Sequence, residues 1–498
     1  MNKTKIILMV AFDCKKGIAR KNEIPWGIKE DYTFFQDVSK RDYHKGKLNA
    51  CIMGKATWKA IPEQQRGLKD RITIVISTTM TQEELEIDNT TKTHVYLVRS
   101  LEGALELCQN LDLGCILICG GNGIYKQALE ELNVDEIYLT DIYDDYECDV
   151  FFPYDSFLQI SNNYQIFDTK TFLLKDTKHD RIVNTRFIKY VHNDDYYKRM
   201  KNVNKEEKHY LDLLYDILQN GDFRQTRNAK TWSLFGKTLE FNLSEGFPLL
   251  TTKRMFFRGV FEELLFFLKG DTNSKHLEEK GINIWKQNTS RDFLDKMNLQ
   301  HYDIGDMGPL YSFQLVHYGE TYQGMNKQYK GFNQLDYCLN LLKNDPSSRR
   351  IIMTTFHAIQ AMESVLYPCH GLFIQFYVEK DNKLSCMMTQ RSSDSYLGLS
   401  FNITSYSLLV HMFCEVINND QEYKGNKLNP GRLIMNLGDT HIYHDHYSES
   451  IRQILREPYT KPILKFKRKI SELTDFKFED IELINYQCYP NIPVKMVA

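Results

Sequence analysis

Short apolar runs alternate with amphipathic segments through the first part of the chain. The apolar runs are rich in isoleucine and valine, and they predict β-strands at 5–12, 49–54, 71–77, 94–100, 115–121 and 135–142. Between them, apolar residues recur at the helical period over 30–40, 101–111 and 124–133. This alternation favours an α/β unit with a mostly parallel central sheet and flanking helices. A final hairpin over 172–191 is predicted to close the sheet.

A polar stretch then separates this unit from a second pattern. Residues 192–208, HNDDYYKRMKNVNKEEK, carry dense charge and few aliphatic side chains, which predicts a linker. Beyond it, 209–221 predicts an amphipathic helix ended by glycine, and 258–270 and 405–419 predict more buried helices among strand-like segments. The second unit is therefore predicted to be α+β with a large mixed sheet. The predicted organisation is a first domain over 1–191, a linker over 192–208 and a second domain over 209–498.

Composition narrows the functional classes. A chain of 498 residues accommodates roughly two to four domains. Its net charge of −2 gives no global basic field for nucleic acid, so no nucleic acid is expected to be needed for catalysis. No membrane span is predicted, because the apolar N-terminal run is short and the polar sequence DCKKG follows it. The 11 cysteines lack C-x-x-C spacing, which favours reduced thiols in a cytoplasmic protein.

Three polar strand ends in the first unit favour a nucleotide lying across the sheet edge. CGGNGIYKQAL (119–129) places glycines between a strand and a helix, where backbone N–H groups favour phosphate. MGKATWKAI (53–61) opens a predicted helix with Lys55 and Thr57, and another strand ends at Ser77 and Thr78. The glycine segment alone lacks the G-x-G-x-x-G spacing, and a plain strand–helix turn is the commoner explanation for it.

Asp31 is the acidic residue of interest in this unit. It follows the sequence NEIPWGIKE and precedes Phe34 and Phe35 on a predicted helix. A carboxylate near a helix N-terminus is favourable to the helix dipole. A buried carboxylate at this place would instead hold a protonated heterocycle. The residues alone leave both explanations open.

The ordered set IPW, Asp31 with Phe35, MGKATW, RITIVIST, ICGG and YLTDI resembles dihydrofolate reductase over residues 4–191. The resemblance implies that Asp31 holds the pteridine ring and assists its protonation, with Thr140 behind it. Phe35 would pack on the pterin and aminobenzoyl rings, and Arg71 would hold the glutamate carboxylate of the folate. Lys55 would be the partner of the 2′-phosphate of NADPH. The implied NADPH contacts are Ala11, Ile18, Lys55, Ala56, Thr57, Ser77, Thr78, Gly120, Gly121, Asn122, Gly123, Ile124 and Tyr125.

Two departures from that family stand out in the first unit. Gly17-Ile18-Ala19 replaces the usual G-I-G, which predicts a stiffer loop. Cys119 stands where an aliphatic residue is usual, which would alter the fit of inhibitors more than the chemistry.

Four clusters in the second unit carry candidate chemistry: Arg349-Arg350, the segment 390–406, the segment 437–446 and Glu262-Glu263. Adjacent arginines most often form a solvated turn. His441, His444 and His446 lack an H-E-x-x-H arrangement, so no metal is predicted. A glutamate in an apolar helix needs a partner or a raised pKa.

Cys369 also has two explanations, because it precedes the apolar run GLFIQFYV. Free cysteines are commonly buried and inert. Arginines near a cysteine, however, would bind a phosphomonoester and favour the thiolate.

The following ordered residues resemble thymidylate synthase over 209–498: Arg227, Glu263, Trp285, Tyr311, Arg349-Arg350, Pro368-Cys369-His370, Gln390-Arg391-Ser392, Asp394, Asn402, His441 and Tyr443. A reductase half followed by a synthase half is similar to the bifunctional dihydrofolate reductase–thymidylate synthase family of protists and plants. The resemblance implies methylation of dUMP to dTMP by 5,10-methylenetetrahydrofolate. The dihydrofolate released would then be reduced with NADPH. The alternative is that one half has become a scaffold or an RNA-binding module.

The resemblance implies a covalent mechanism with Cys369 attacking C6 of dUMP. Arg391 would bind the phosphate and lower the pKa of Cys369, with further phosphate contacts from Arg227 and Ser392. Arg349 and Arg350 would reach the phosphate held by a partner subunit, which implies a homodimer.

The remaining roles implied by the family concern the base, the sugar and the folate. Glu263 would order water near Tyr311 and His370, and Gln390 would join the substrate site. Asn402 would contact the uracil edge, and because an amide both donates and accepts, it favours dUMP over dCMP. His441 and Tyr443 would hold the deoxyribose hydroxyl. The folate side would be formed by Asp394, Ile284, Trp285 and the terminal KMVA, which would close over it.

The second unit departs from the family at its first loop. RNAKTWS (227–233) is one residue shorter than the usual T-G-T-G loop, and Arg224 is a less favoured rival of Arg227. Ser400 stands where proline is usual. No catalytic group is lost, so activity is expected.

Overall fold

The computed structural model describes residues 4–89, 91, 93–226 and 229–495. The chain divides into two compact units, Met1–Val203 and Asn204–Ala498. Each unit is described by itself below.

The first unit is built on one eight-stranded sheet. Its strands, with the short pair β2 and β8 outside that sheet, are β1 (Lys5–Phe12), β2 (Gly17–Ala19), β3 (Leu48–Gly54), β4 (Ile72–Ile76), β5 (Val95–Val98), β6 (Leu113–Ile118), β7 (Glu136–Ile142), β8 (Val150–Phe151), β9 (Tyr164–Asp176) and β10 (Arg181–His192). Its helices are α1 (Lys29–Ser39), α2 (Lys55–Ala60), α3 (Gln82–Asp88), α4 (Leu101–Gln109), α5 (Asn122–Glu131), α6 (Tyr154–Ile160) and α7 (Asn193–Asn202).

The strand order of this sheet is β5-β4-β3-β6-β1-β7-β10-β9. The first six strands run parallel, and β10 and β9 add an antiparallel hairpin at one edge. Every residue of β6 and β7 is buried, as expected for parallel strands covered on both faces. The predicted mostly parallel sheet is therefore confirmed.

Two predicted segments differ from the structure. The strand predicted over 115–121 ends at Ile118, because Gly120 has φ of 109° and leaves the extended conformation. The linker predicted over 192–208 contains α7 and the first residues of the next helix. Arg199 of α7 forms an ion pair with the buried carboxylate of Glu136 on β7. This tertiary contact stabilises a helix in a stretch whose composition indicates only a polar connection.

The second unit contains a mixed six-stranded sheet with the order β11-β12-β16-β15-β14-β13. Its strands, with the separate pair β17–β18, are β11 (Asp222–Gln225), β12 (Lys230–Asn242), β13 (Ile352–Met353), β14 (Phe373–Glu379), β15 (Lys383–Asp394), β16 (Asn429–Tyr443), β17 (Ile463–Phe466) and β18 (Ile481–Ile484). Its helices are α8 (Lys205–Asn220), α9 (Phe257–Leu268), α10 (Lys275–Glu278), α11 (Arg291–Lys296), α12 (Tyr311–Val316), α13 (Gln334–Asn344), α14 (Gly398–Asn419) and α15 (Tyr447–Ile454).

The two longest helices of this unit pack on its sheet. The amphipathic α8 packs on β12 and β16, and the mostly buried α14 packs on β15 and β16. Large apolar side chains of the same sheet remain exposed in the single chain, among them Phe235, Phe373 and Tyr377. Among the described residues of both units, no helix is long and apolar enough to cross a membrane.

Candidate active sites

The first candidate site is centred on Asp31 in the first turn of α1. Trp26 donates a hydrogen bond from Nε1 to Asp31 Oδ2 at 3.1 Å. Burial raises the pKa of Asp31 above its usual value, while hydrogen bonds from Thr140 and Trp26 act in the opposite direction. Thr140 lies on β7 directly opposite Ala11 of β1. The Asp31 carboxyl thus lies near a helix N-terminus and is also desolvated. Both explanations that the sequence leaves open therefore apply to Asp31.

Arg71 and Phe35 lie together beside this helix. The Arg71 guanidinium is 5.8 Å from the centroid of the Phe35 ring, and its Nη1 donates to Ser39 Oγ at 2.7 Å. Nε donates to the carbonyl of Lys69 at 3.1 Å. Burial lowers the pKa of Arg71, but a guanidinium remains charged in proteins. The structure therefore offers a fixed buried cation next to an aromatic face.

The glycine segment and α2 converge at the ends of β3 and β6. The N–H of Gly54 donates to the carbonyl of Gly120 at 2.7 Å. A Cβ on Gly121 would lie 3.4 Å from Thr57 Oγ1, and a Cβ on Gly120 would lie 2.9 Å from the Tyr125 ring. Glycine is thus required at 120 for its positive φ as well as for space. The open backbone here fits the pyrophosphate of a dinucleotide.

Other predicted cofactor contacts lie around this backbone. Lys55, Ala56 and Thr57 form the first turn of α2, and Asn122, Gly123, Ile124 and Tyr125 begin α5. Tyr125 is fixed by a hydrogen bond from its hydroxyl to the carbonyl of Met9 at 2.8 Å. Ile18 is half-buried on β2.

The end of β4 is held in place by hydrogen bonds. Ser77 Oγ accepts from the N–H groups of Thr79 and Met80 at 3.2 and 2.9 Å. Arg99 Nη1 donates to the Ser77 carbonyl at 2.6 Å. Thr78 is exposed at the turn that follows β4, and Lys55 Nζ lies 3.4 Å from Thr79 Oγ1. Neither Trp26 nor Arg99 was predicted as a site residue, although the segments IPW and YLVRS place them next to predicted elements.

The second candidate site is centred on Cys369, just before β14. The hydroxyl of Tyr311, the first residue of α12, lies 3.2 Å from Cys369 Sγ and accepts from the Cys369 N–H at 3.1 Å. The N–H of Arg391 donates to the Cys369 carbonyl at 2.9 Å. The Arg391 side chain donates from Nε to the carbonyl of Pro368 at 2.8 Å. Backbone and side chain of Arg391 therefore both hold the segment that carries the thiol.

The pKa of Cys369 is set by opposing effects. Arg391 and the Tyr311 hydroxyl lower the pKa of the thiol, as expected, whereas Glu263 raises it. Burial is the largest effect and leaves the pKa above its usual value. Burial therefore favours the neutral thiol, while Arg391 and Tyr311 favour the thiolate.

Glu263 and Glu262 have different surroundings although they are adjacent on α9. Trp285 Nε1 donates to Glu263 Oε1 at 2.8 Å, and burial raises the pKa of Glu263 to about 7. Glu262 instead forms an ion pair with Lys280 at 2.7 Å. Glu263 is therefore poised to exchange a proton near neutral pH.

His370 is held as a neutral ring beside the nucleophile. Its ring stacks on Tyr311 with centroids 4.1 Å apart, and Nδ1 lies 3.0 Å from the hydroxyl of Tyr406. Burial lowers the pKa of His370 to about 3. Tyr406 was not predicted, since nothing in the sequence SYSLLV distinguishes its hydroxyl from that of a core tyrosine.

Asn402 on α14 faces Gln390 on β15. Asn402 Nδ2 donates to Gln390 Oε1 at 3.0 Å, and Gln390 Nε2 donates to the carbonyl of Ser392 at 3.0 Å. This chain fixes the orientation of the Asn402 amide, so that its carbonyl oxygen and a second N–H have a defined direction.

Asp394 and His441 are direct neighbours on β15 and β16. Asp394 Oδ1 accepts from the N–H groups of Tyr396 and Leu397 at 3.2 and 3.1 Å. His441 Nδ1 lies 2.9 Å from Asp439 Oδ1, and its ring lies 5.2 Å from that of Tyr443. The predicted folate and deoxyribose contacts thus occupy adjacent strand ends.

The three histidines of segment 437–446 have separate partners. His444 stacks on Trp232 with centroids 5.3 Å apart, and His446 Nε2 bonds to the carbonyl of Lys495 at 2.7 Å. Within the described residues, no group of three potential metal ligands converges.

Some predicted residues lie apart from these contacts. Arg349 and Arg350 are exposed just before β13, and neither forms an ion pair with another described residue. Arg227 lies outside the described residues, as do the last three residues of KMVA. The rival Arg224 pairs with Asp222 at 2.8 Å. Ile284 is half-buried beside Trp285.

Lys253 is a further buried group that sequence reasoning missed. Its ammonium donates to the carbonyl of Tyr396 and lies 4.1 Å from the centroid of that ring. Burial lowers the pKa of Lys253 to about 7. The one feature of the surrounding sequence, PLLTTKRMFF, that could have indicated a buried lysine is its position between apolar residues.

Comparison with known proteins matches each of the two units to a family. Residues 5–190 match the family model of dihydrofolate reductase, and residues 208–498 match that of thymidylate synthase. The bifunctional dihydrofolate reductase-thymidylate synthase of Zea mays is 36% identical over 525 residues, covering 99% of this chain and 96% of the maize protein. The protein of the same description from Paramecium tetraurelia is 35% identical over 500 residues, covering 100% of this chain and 99% of its own length.

A relative described as bifunctional dihydrofolate reductase-thymidylate synthase 1 of Arabidopsis thaliana is 35% identical over 512 residues, with 99% of this chain and 96% of the relative covered. Both catalytic domains are therefore present, and a half that serves only as a scaffold or RNA-binding module is not favoured. The chain belongs to the bifunctional dihydrofolate reductase–thymidylate synthase family.

Proposed function

We propose that the second unit methylates dUMP to dTMP with 5,10-methylenetetrahydrofolate through Cys369. The first unit reduces the dihydrofolate released, with NADPH as the cofactor. The observation that carries this proposal is the contact of Cys369 with the Tyr311 hydroxyl beside Arg391. The domains are proposed to extend over 1–191 and 209–498, which the family matches to 5–190 and 208–498 support.

Phosphate binding is proposed to place dUMP against Cys369. Burial raises the pKa of the thiol, whereas the Arg391 guanidinium and the Tyr311 hydroxyl lower it. A dianionic phosphate is held by Arg391 with Ser392 and Arg227, and this brings the reactive carbon of dUMP to the thiol. The Tyr311 hydroxyl stabilises the thiolate that forms, because hydrogen bonds to an ionised acceptor are the strong ones. Attack of Sγ on C6 makes C5 nucleophilic toward the one-carbon unit of the folate.

Proton removal at C5 is assigned to water held by Glu263. A carboxyl whose pKa is about 7 can both accept and return a proton near neutral pH. Neutral His370 positions the Tyr311 ring by stacking rather than by carrying charge. Hydride transfer from the folate then completes the methyl group, and loss of Cys369 releases dTMP and dihydrofolate.

The proposed base, sugar and folate contacts are supported by the geometry of the second unit. The Asn402 amide, oriented by Gln390, donates to O4 and accepts from N3–H of uracil. His441 and Tyr443 bind the deoxyribose hydroxyl. Asp394, Ile284 and Trp285 face the folate.

In the first unit, Asp31 is proposed to hold the pteridine and to assist its protonation. Burial favours the neutral carboxyl, which is the form that can donate a proton. Phe35 packs on the pterin and aminobenzoyl rings, and Arg71 binds the glutamate carboxylate. NADPH supplies the hydride when it is bound.

The proposed NADPH contacts are the groups around Gly120 and Gly121. The lack of a side chain at these positions leaves the backbone and Thr57 open to the pyrophosphate. Lys55 is proposed to pair with the 2′-phosphate, supported by its place beside Thr79 at the end of β4.

A homodimer through the second unit is proposed. Arg349 and Arg350 are exposed and lack an internal carboxylate partner among the described residues, which is the state expected of cations that bind a partner's phosphate. The exposed Phe373 and Tyr377 on neighbouring β14 supply apolar area for association.

A cytoplasmic location is also proposed, since every cysteine of the chain is described and free.

The direct test of both activities uses the full chain with dUMP, 5,10-methylenetetrahydrofolate and NADPH. Expected products are dTMP and tetrahydrofolate, followed by chromatography, with NADPH consumed as dihydrofolate forms. Absence of dTMP would overturn the synthase proposal. Absence of NADPH oxidation with added dihydrofolate would overturn the reductase proposal.

A further inference from the structure

Asp176, the last residue of β9, is a buried carboxylate that holds the chain beside Trp26. Its Oδ1 accepts from the N–H groups of Gly27 and Lys178 at 2.8 and 3.0 Å. Burial raises the pKa of Asp176, but the hydrogen bonds that it accepts outweigh burial and leave the pKa below its usual value. Asp176 is therefore an ionised acceptor for the residue that follows Trp26.

Gly27 packs directly on the turn that follows β9. Its carbonyl accepts from the N–H and from the hydroxyl of Thr177, at 3.0 and 2.8 Å. A Cβ at Gly27 would lie only 2.7 Å from Thr177 Oγ1, so the two segments approach as closely as glycine allows. The next residue, Ile28, forms an antiparallel bridge with Asp176. The backbone between Trp26 and α1 is thus fixed to the end of β9.

Tyr146 connects the other carboxylate oxygen of Asp176 to the Trp26 ring. The Tyr146 hydroxyl donates to Asp176 Oδ2 at 2.9 Å. Its ring lies edge-on to the Trp26 ring, with centroids 5.4 Å apart. Tyr146 is itself buried, and its N–H donates to Asp13 at 3.1 Å. One carboxylate therefore fixes Trp26 from two directions, through the backbone of Gly27 and through the ring of Tyr146.

The hydrogen bond from Trp26 to Asp31 depends on where the indole lies. Trp26 Nε1 is 3.1 Å from Asp31 Oδ2, near the long end of the usual range for an N–H donor, so a small displacement would weaken the bond. Burial raises the pKa of Asp31, and the bond from Trp26 acts in the opposite direction. A displaced indole would therefore leave Asp31 protonated to higher pH.

We propose that Asp176 is a positioning residue that holds the Trp26 indole against the Asp31 carboxyl. It acts through Gly27 and Tyr146 rather than by touching the folate. The inference rests on the proposed function, since the position of Trp26 affects turnover only if Asp31 assists protonation of the pteridine.

A direct electrostatic effect of Asp176 on Asp31 would have the opposite sign. The two carboxyls share a neighbour, because burial, Asp31 and Asp176 all raise the pKa of Tyr32. Removing a nearby negative charge favours ionisation and would lower the pKa of Asp31. Loss of the bond from Trp26 would raise it. The direction of the change in Asp176→Ala therefore separates the two explanations.

Other ionisable groups also surround the two carboxyls. They are Tyr32 and Tyr125 around Asp31, and Tyr146, Lys178, His179 and Arg181 around Asp176 and its hydroxyl partner. His179 Nδ1 lies 2.8 Å from Asp176 Oδ2. Because histidine ordinarily titrates near neutral pH, a midpoint measured here must be assigned to Asp31 by a variant.

The test follows the Trp26 indole N–H signal in ¹H–¹⁵N spectra of the full chain as pH is varied. The chain has 4 tryptophans, so Trp26→Phe assigns the signal. The signal should shift as Asp31 ionises, and Asp31→Asn should abolish this titration. Asp176→Ala is expected to raise the midpoint by about 0.5–1 pH unit, and the falling limb of the reductase pH profile should move with it. Asp176→Asn, which keeps a carbonyl oxygen for the Gly27 N–H, should recover part of the change.

Two further variants separate positioning from general destabilisation. Asp135→Ala removes a carboxylate that accepts from the N–H of Ile6 at 2.7 Å. Asp135 precedes β7, whereas Thr140 lies near the other end of that strand, so Asp135→Ala should leave the midpoint unchanged. In the double variant Trp26→Phe/Asp176→Ala, the reductase limb should lie no higher than in Trp26→Phe alone, because Asp176 acts through the indole.

Several results would overturn this role of Asp176. They are a midpoint that falls or stays unchanged in Asp176→Ala, an equal rise in Asp135→Ala, an Asp176→Asn variant as altered as Asp176→Ala, additive changes in the double variant, and a titration that persists in Asp31→Asn.

If Asp176→Ala does not fold, Tyr146→Phe decides, because it removes only the hydroxyl that reaches Asp176. The midpoint must rise in Tyr146→Phe, and a midpoint that does not rise rejects the proposal. The indole titration needs no turnover. Failure of the wild type to reduce dihydrofolate would therefore count against the proposed function alone, and the two failures are distinguishable.

Discussion

The hydroxyl of Tyr311 lies 3.2 Å from Cys369 Sγ and accepts from the Cys369 N–H at 3.1 Å. These two contacts fix the position of the nucleophile relative to α12. They also matter electrostatically, because burial raises the pKa of the thiol and Tyr311 is the largest influence that lowers it. Tyr311 therefore determines both where the sulfur lies and how readily it ionises.

Tyr311→Phe is expected to raise the pKa of Cys369 and to slow dTMP formation. The variant removes the hydroxyl that stabilises the thiolate, and a charge-assisted hydrogen bond is equivalent to about one pKa unit, or about tenfold in thiolate fraction. The measurement is the pH dependence of Cys369 alkylation by iodoacetamide, followed by mass spectrometry of its peptide. Tyr322→Phe, which removes a hydroxyl bonded to Asp306 in the same unit, is the control. An unchanged midpoint in Tyr311→Phe would contradict this account.

Glu263→Gln is expected to flatten the dependence of stability on pH. The pKa of Glu263 is raised from 4.5 to about 7, so in that interval the folded protein holds a proton that the unfolded chain has released. The contribution of this group is complete below the unfolded value and is lost as pH rises to about 7. Wild-type stability relative to Glu263→Gln should thus fall by about 1.4 kcal/mol per pH unit within the interval.

Urea unfolding of both proteins at a series of pH values measures this difference. Glu262→Gln is the matched control, because it removes the neighbouring carboxylate that pairs with Lys280. The wild-type decline should persist in Glu262→Gln. Equal slopes in the wild type and Glu263→Gln would show that Glu263 titrates normally. The same Gln variant should lower dTMP synthesis by about 100-fold, since its amide cannot exchange a proton through water.

Trp26→Phe is expected to shift the pH profile of the reductase. The wild-type rate with dihydrofolate should fall as pH rises, because the neutral Asp31 carboxyl is the active form. The Trp26 indole lowers the pKa of Asp31, so its removal moves the falling limb to higher pH. Asp31→Asn should lower the rate by about 100-fold and abolish the limb. Trp58→Phe, which removes a buried indole that donates to Asp88, is the control. An equal shift of the pH profile in Trp58→Phe would refute the assignment of the profile to Asp31.

Local periodicity was sufficient to predict most helices and strands. It was not sufficient to predict the contacts that shift the pKa values of the site residues. The six parallel strands are predictable because each is a short apolar run separated from the next by a helix or loop. Helix α7 is not, since its stability depends on the distant Glu136. Likewise, adjacency to arginines suggests a low pKa for Cys369, whereas the net effect depends on burial, which only the packed structure gives. Trp26 and Tyr406 become recognisable once their partners, Asp31 and His370, are placed.

The proposed dimer predicts that two inactive variants complement each other. Cys369→Ala lacks the nucleophile, and the double variant Arg349→Ala/Arg350→Ala lacks the cations that would reach the partner's phosphate. In a hybrid dimer, the intact Cys369 of one subunit meets the intact arginines of the other, so one site of the two becomes competent. Synthase activity of the mixture should therefore exceed that of either variant alone and approach about half the wild-type value per hybrid dimer.

Subunit exchange in this mixture is monitored by native mass spectrometry of isotopically labelled chains. Reductase turnover serves as the control, because all three variant positions lie in the second unit and should leave it unchanged. Recovery requires that the arginines act across the interface. If the arginines acted within their own subunit, one site of the hybrid would lack the nucleophile and the other would lack the cations, and mixing would give no gain in activity. Demonstrated exchange without recovered dTMP synthesis would therefore reject the shared site.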